Sequence, residues 1–130
     1  MAGLDGFHHV KIPVSDLTRS IAWYGRVLDL RVAIRFVESG VLRGVAIRDP
    51  AGTLMLALRE DADRATRLAG FDPLALGVST LAELGSWASR LDGLGVAHSG
   101  IVEGSAGWLI GGLTDPDGME VRLYTRQPRV

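Results

Sequence analysis

Apolar and polar side chains alternate over residues 9–14 (HVKIPV), which is the period of a strand with one buried face. Beyond residue 16 the apolar positions change to spacings of four, three and four, the period of an amphipathic helix. These positions are Leu17, Ile21, Tyr24 and Leu28. Ser15 and Asp16 precede them, and either side chain can cap a helix N-terminus. The opening of the chain therefore predicts a strand followed by a helix.

The same pattern returns later in the chain. Residues 10–32 align with residues 74–96 at an offset of 64, and seven of the 23 positions are identical. A second match, at an offset of 66, relates residues 49–52 (DPAG) to residues 115–118 (DPDG). Two matches in the same order at almost one spacing indicate an internal duplication.

The second copy also predicts a strand and a helix. Its apolar strand face consists of Leu74, Leu76 and Val78. Thr80 and Glu83 have the spacing of a capping box, and Gly95 is a typical helix end. Between them the apolar stripe consists of Leu84, Trp87 or Ala88, Leu91 and Leu94.

Three strands are expected after each helix, with the two DPxG segments as hairpin turns. The predicted strands span about 30–37, 42–48, 53–59, 98–103, 107–113 and 119–125. The fold class is therefore α+β, a single domain over 1–130 with βαβββ repeats at 6–60 and 71–126. The charged segment 61–70 is predicted to be a linker with a helical turn. Two four-stranded sheets of this kind can form an open eight-stranded half-barrel, with helices on the outer face and a pocket inside.

Composition restricts the function. The chain contains no cysteine, which excludes disulfides, thiolate metal sites and cysteine nucleophiles. A net charge of −1 argues against nucleic-acid binding. No apolar run is long enough to span a membrane, and the first ten residues lack the pattern of a signal peptide. A cytoplasmic location is therefore expected.

Two motifs resemble the vicinal-oxygen-chelate superfamily of glyoxalases, bleomycin-resistance proteins and extradiol dioxygenases. Residues 9–30 (HVKIPVSDLTRSIAWYGRVLDL) resemble its opening signature: a histidine, an Asp-Leu pair, a serine, an aromatic-Tyr pair and Leu-Gly-Leu. Residues 115–124 (DPDGMEVRLY) resemble its closing turn and last strand. Asp29 stands where the family usually has glycine. The similarity covers about 7–125 and implies the glyoxalase/bleomycin-resistance/dihydroxybiphenyl-dioxygenase fold.

The resemblance also implies where a metal ion would bind. Active members hold a divalent cation with ligands from the first and last strands of each copy, and the metal polarises vicinal oxygens of a substrate. The corresponding positions are His9, Leu56, Pro73 and Arg122. Leucine and proline offer no side-chain donor, and arginine repels a cation. We therefore expect no metal and no other cofactor.

The same face predicts a small-molecule pocket with an apolar and cationic lining. Its predicted ligand-binding residues are His9, Lys11, Leu54, Leu56, Leu58, Trp108, Arg122 and Tyr124. Arg122 has two interpretations: it pairs with Glu120 or another acid, or it binds the carboxylate of a ligand. His9 and Glu120 are the candidate catalytic groups, since either could move a proton.

Three functions follow from these residues. The leading one is metal-free binding of a small anionic or aromatic molecule, for sequestration, resistance or carriage. The second is a metal-independent enzyme in which His9 or Glu120 acts with Arg122. The third is a metal-dependent lyase or dioxygenase. The resemblance further implies a homodimer, and neither nucleic acid nor a membrane is an expected partner.

Overall fold

The computed structural model describes residues 1–129, in which three helices and eight strands form. The elements are β1 Val10–Val14, α1 Leu17–Leu28, β2 Arg31–Glu38, β3 Val41–Arg48, β4 Met55–Glu60, α2 Ala62–Arg67, β5 Leu74–Val78, α3 Leu81–Gly93, β6 Ile101–Glu103, β7 Trp108–Thr114 and β8 Glu120–Thr125. The chain divides into two compact units, Met1–Arg67 and a second that begins at Leu68. None of the helices described is long and apolar enough to cross a membrane.

Each unit contains one four-stranded mixed sheet. The strand order is β1-β4-β3-β2 in the first unit and β5-β8-β7-β6 in the second. The first and last strands of each copy pair in parallel, and the other neighbours pair antiparallel. Both sheets keep two edge strands, so neither closes into a barrel. The predicted α+β fold of two βαβββ repeats is confirmed.

Helix α1 begins and ends where the sequence chemistry predicts. The Asp16 carboxylate accepts a hydrogen bond from the Arg19 N–H at 3.0 Å and caps the helix. Asp29, at the position the family gives to glycine, ends the helix in the left-handed region at φ 56°. The predicted stripe is buried at Leu17, Tyr24 and Leu28, and Ile21 is half-buried.

Helix α3 uses the predicted cap as well. The Thr80 hydroxyl accepts a hydrogen bond from the Glu83 N–H at 3.2 Å. Gly95 lies just past the helix with φ +70°, a conformation that glycine adopts without strain. Leu84 and Leu91 are fully buried, so the helix packs through the face that the spacing predicts.

The two DPxG turns are closed by their aspartates. The Asp49 carboxylate accepts hydrogen bonds from the Thr53 hydroxyl at 2.7 Å and the Leu54 N–H at 2.8 Å. Asp115 accepts from the Asp117 and Met119 N–H groups at 2.9 and 3.1 Å. These local hydrogen bonds fix the hairpins before β4 and β8.

Most strand bounds differ from the predicted ones by one or two residues, and the start of β6 differs by three. β4 begins at residue 55 instead of 53, and the segment 61–70, predicted to contain a helical turn, contains the six-residue helix α2. β6 begins at residue 101 instead of 98 because His98 makes local hydrogen bonds, which replace ladder pairing. Its ring bonds the Asp92 carboxylate at 2.7 Å and accepts from the Gly100 N–H at 2.9 Å.

Candidate functional site

The first sheet has a face covered by helix and a face that is open. Buried side chains share the covered face, where α1 packs against β2 and β4. They are Ile12, Val14, Val45, Ile47, Leu56 and Leu58. Because side chains alternate along a strand, the residues between them lie on the opposite face. Lys11, paired with Ala57, and Gly44, paired with both Phe36 and Arg59, therefore form the open face.

A cavity of about 250 Å³ lies on this open face. It is lined by His9, Lys11, Phe36, Glu38, Gly44, Ala57, Leu58 and Arg59. The cavity has space above the strands because Gly44 has no side chain and Ala57 has only a methyl group. A Cβ on Gly44 would lie 2.8 Å from the Leu58 carbonyl oxygen, so no larger residue fits there without backbone movement. Phe36 keeps 43% of its surface exposed and offers an aromatic wall.

The charged groups of the cavity differ in their pairing. Arg59 donates two parallel hydrogen bonds to Glu38, at 2.8 and 2.9 Å. These bonds hold the pKa of the Glu38 carboxyl below its ordinary value and raise the pKa of Arg59. Lys11 is exposed and forms no ion pair with any residue in 1–129. The cavity therefore contains one satisfied cation and one cation that is available to a ligand.

His9 lies at the rim, one residue before β1. Its Nδ1 is 2.9 Å from Nδ1 of His8, and the two exposed rings meet edge to face with centroids 5.1 Å apart. One of these nitrogens must carry the proton that the other accepts. His9 can thus hydrogen-bond a ligand through Nε2.

The strand register corrects the prediction for Leu56. Val10 pairs with Leu56 in the first copy, and its repeat equivalent Leu74 pairs with Val121 in the second. Leu56 is therefore equivalent to Val121, not to Arg122, and its side chain is fully buried. Ala57 occupies the position that corresponds to Arg122. The predicted position lies one residue too early in β4, because the last strands of the two copies are offset by 65 residues and the turns before them by 66.

The other two predicted leucines, Leu54 and Leu58, also contribute little surface to the cavity. Leu54 is half-buried just before β4, and its N–H caps the Asp49 turn. Leu58 borders the cavity, but only 1% of its surface is exposed. Leu56 and Leu58 therefore belong to the core, and the apolar surface of the cavity comes from Phe36 and Ala57.

The open face of the second sheet is occupied by its own side chains. Arg122 contacts the Glu120 carboxylate at 3.0 Å and the Asp72 carboxylate at 3.2 Å. Two acids thus surround one guanidinium, and the cluster has a formal charge of −1. Of the two interpretations of Arg122, the structure shows the acid pair.

Glu120 is poorly suited to be a general base. The Gly112 N–H, turned by a bulge in β7 and a φ of +67°, donates to one Glu120 oxygen at 2.7 Å. Arg122 donates to the other oxygen. The Gly112 hydrogen bond and then the Arg122 contact lower the pKa of Glu120. A carboxylate with both oxygens bonded and a lowered pKa accepts a proton weakly.

Tyr124 and Trp108 also have structural contacts. The Tyr124 hydroxyl accepts a hydrogen bond from the Ala106 N–H at 3.0 Å, which lowers the pKa of the phenol and fixes the turn before β7. Trp108 pairs with Glu103 and shares its strand face with the buried Ile110, so it lies opposite Arg122 and Tyr124. The prediction that Trp108 lines the pocket face is therefore wrong.

The family's ligand positions do not suit a metal ion. In the first unit they are His9 and Ala57, and in the second they are Pro73 and Arg122. A methyl group, a proline ring and a guanidinium cannot coordinate a cation. Within residues 1–129 no group of three or more His, Asp or Glu side chains is placed to hold a metal ion.

Three residues that line the cavity were not among the predicted site residues. Phe36, Glu38 and Arg59 are spread over two strands, and only the sheet register brings them together. The alternation that selected Lys11 could have selected Arg59, but the one-residue error in β4 moved it to the wrong face. Asp72 carried no signal, since it lies outside the strand.

Comparisons with known proteins identify the family. The sequence pattern described as Glyoxalase/Bleomycin resistance protein/Dioxygenase superfamily matches residues 6–123. No curated protein matches the chain significantly. Among solved structures, a glyoxylase/bleomycin resistance protein/dioxygenase domain from Frankia sp. EAN1pec is 26% identical, with a TM-score of 0.76 over 96% of this chain and 100% of that chain.

Two more distant structures share the fold. TnmS3, an antibiotic binding protein from Streptomyces sp. CB03234, is 16% identical with a TM-score of 0.74, over 98% of this chain and 100% of its own. Lactoylglutathione lyase from Agrobacterium tumefaciens is 17% identical with a TM-score of 0.72, over 95% and 96%. The match to the superfamily pattern covers most of the chain and agrees with the two βαβββ repeats. The chain belongs to the Glyoxalase/Bleomycin resistance protein/Dioxygenase superfamily.

Proposed function

We propose that this protein binds a small aromatic anion in the cavity of the first unit, without a metal ion, and acts by sequestration or carriage. The observation that supports this most is the placement of an unpaired Lys11 ammonium and an exposed Phe36 ring in one cavity. A cation and an aromatic surface side by side favour a flat molecule with a carboxylate or phenolate.

The size of the cavity limits the ligand. Its 250 Å³ is slightly below the range of about 300–1,000 Å³ that is typical of pockets for drug-sized ligands. A molecule of one or two rings suits it better than a large natural product. The fold-level similarity to an antibiotic binding protein is consistent with binding as the function, and the proposal extends it to this chain.

A titration with 2-naphthoate, a fluorescent planar anion, tests the proposal. We expect saturable binding that is lost in Lys11→Met and weakened in Phe36→Ala, because each variant removes one recognition element. Arg67→Met is the matched control for charge, since Arg67 lies on α2 away from the cavity. Absence of binding to naphthoate and to related phenolates would contradict the proposal, as would equal losses in the Arg67 variant.

Catalysis and metal binding are tested on the same protein. The contacts of Glu120 disfavour it as a base, so a metal-independent enzyme would depend on His9. If the protein turned over an aromatic carbonyl substrate and His9→Ala abolished this activity, the protein would be an enzyme and the sequestration proposal would be wrong. Elemental analysis of tag-free protein is expected to find no stoichiometric Zn, Fe, Mn or Ni, and one metal per chain would refute metal independence.

We also propose a homodimer, as the family resemblance implies. The first sheet supports this because its edge strand β2 exposes Ile34 by 48% and Val37 by 60%. An exposed apolar edge strand favours pairing with another chain. Light scattering should give twice the 13.9 kDa chain mass, and a monomer would contradict the proposal.

A further inference from the structure

The charges that line the cavity specify more than a preference for anions. Lys11 and Arg59 each contribute +1 and Glu38 contributes −1, which leaves a formal charge of +1 with the His9 ring counted as neutral. We infer that the cavity selects monoanions over both neutral molecules and dianions, and that Glu38 sets this selectivity by occupying Arg59. The inference rests on the proposed function and specifies its ligand class.

The geometry shows how Glu38 occupies Arg59. Arg59 lies on β4 and Glu38 ends β2, with β3 between them. The Arg59 side chain crosses β3 over Gly44, where its Cδ lies 3.7 Å from the position that a Cβ would take. Beyond Gly44, both of its terminal nitrogens meet the two Glu38 oxygens. Both terminal nitrogens of Arg59 therefore already donate to Glu38 and are not available to a ligand.

A ligand therefore meets an asymmetric cavity. One carboxylate can reach the Lys11 ammonium, which has no acidic partner within residues 1–129. A second carboxylate would have to displace Glu38 from Arg59, and it would be repelled by the Glu38 charge. A neutral ligand would lose the contact with Lys11. Binding should thus be tightest for one negative charge.

Three probes with the same ring system measure this selectivity. They are 2-naphthamide, 2-naphthoate and 2,6-naphthalenedicarboxylate, with charges of 0, −1 and −2. Calorimetric titration at low salt limits the screening of exposed charges. In the wild-type protein we expect naphthoate to bind about tenfold more tightly than either other probe. The amide lacks the charge-assisted contact with Lys11, and the second carboxylate of the dianion is repelled by Glu38.

Substitutions assign the selectivity to Glu38. In Glu38→Gln the Arg59 guanidinium becomes available, and the dicarboxylate should gain about tenfold while naphthoate gains less. The double variant Glu38→Gln with Arg59→Met should lose this gain. Glu60→Gln is the matched control, because Glu60 pairs with Arg43 at 3.4 Å and does not line the cavity. It removes the same charge from the same sheet and should leave the ranking unchanged.

The outcomes separate the inference from the proposed function. If none of the probes binds, the proposed function fails and the inference fails with it. If naphthoate binds but the dicarboxylate binds equally well, only the inference is overturned. An identical gain in Glu38→Gln and Glu60→Gln would also overturn it, since net charge alone would then explain the effect. The wild-type ranking needs no variant, so it remains decisive if Glu38→Gln folds poorly.

Discussion

Replacing Leu56 by alanine tests which face of β4 belongs to the core and which face lines the cavity. Leu56 is fully buried in the core of the first unit, beside Ile47 across the sheet. A fully buried leucine that becomes alanine loses its transfer free energy and leaves a cavity, which together cost about 2–5 kcal/mol. We expect a loss of about 3 kcal/mol, which lowers the Tm by roughly 10 °C in a domain of this size.

Urea unfolding monitored by circular dichroism measures this loss, and 2-naphthoate titration measures binding below the transition. Leu56→Ala should unfold at lower urea and bind naphthoate normally while folded. Its neighbour Ala57 provides the converse variant. Ala57→Leu adds three carbons to the cavity floor, so naphthoate binding should fall at least about tenfold with a stability change within about 1 kcal/mol.

The reasoning would be refuted by the opposite pattern. If Leu56→Ala abolished binding and changed the free energy of unfolding by less than about 1 kcal/mol, Leu56 would line the cavity and the pairing of β4 with β1 and β3 would be shifted by one residue. Leu58→Ala is a useful second core variant, because Leu58 is equally buried and should also lose stability.

Three further predictions concern stability. Ser20→Ala should leave the urea midpoint unchanged or raise it, because the buried Ser20 hydroxyl has no hydrogen-bond partner within residues 1–129; a lower midpoint would reveal a hidden bond. Thr80→Ala should cost about 1 kcal/mol in urea unfolding through loss of the α3 cap, and Thr80→Ser should restore it. Glu120 stabilises the fold above its unfolded pKa of about 4.3, and this contribution is lost as pH falls through its lowered folded pKa. The stability difference between wild type and Glu120→Gln should therefore shrink in acid, and a constant difference from pH 7 to 3 would contradict the assignment.

Several contacts of the charged side chains join residues that are distant in the chain. Arg122 meets Asp72, 50 residues earlier, and Arg59 meets Glu38 across an intervening strand. Sequence patterns report local periodicity and local capping, so they cannot identify such partners. The Arg122 alternatives stayed open for this reason, and the structure resolved them in favour of acid pairing.

The sequence by itself determined the element order, the duplication, the helix caps and the two aspartate turns. The elements, caps and turns depend on residues within one turn or one strand, and the duplication is a direct match between two stretches of sequence, so none of them needs the folded structure. Only the tertiary structure decided the register of β4, which is offset by 65 residues from its copy although the turn before it is offset by 66. Because a shift of one residue exchanges the two faces of a strand, this difference placed Leu56 in the core and Ala57 and Arg59 at the cavity.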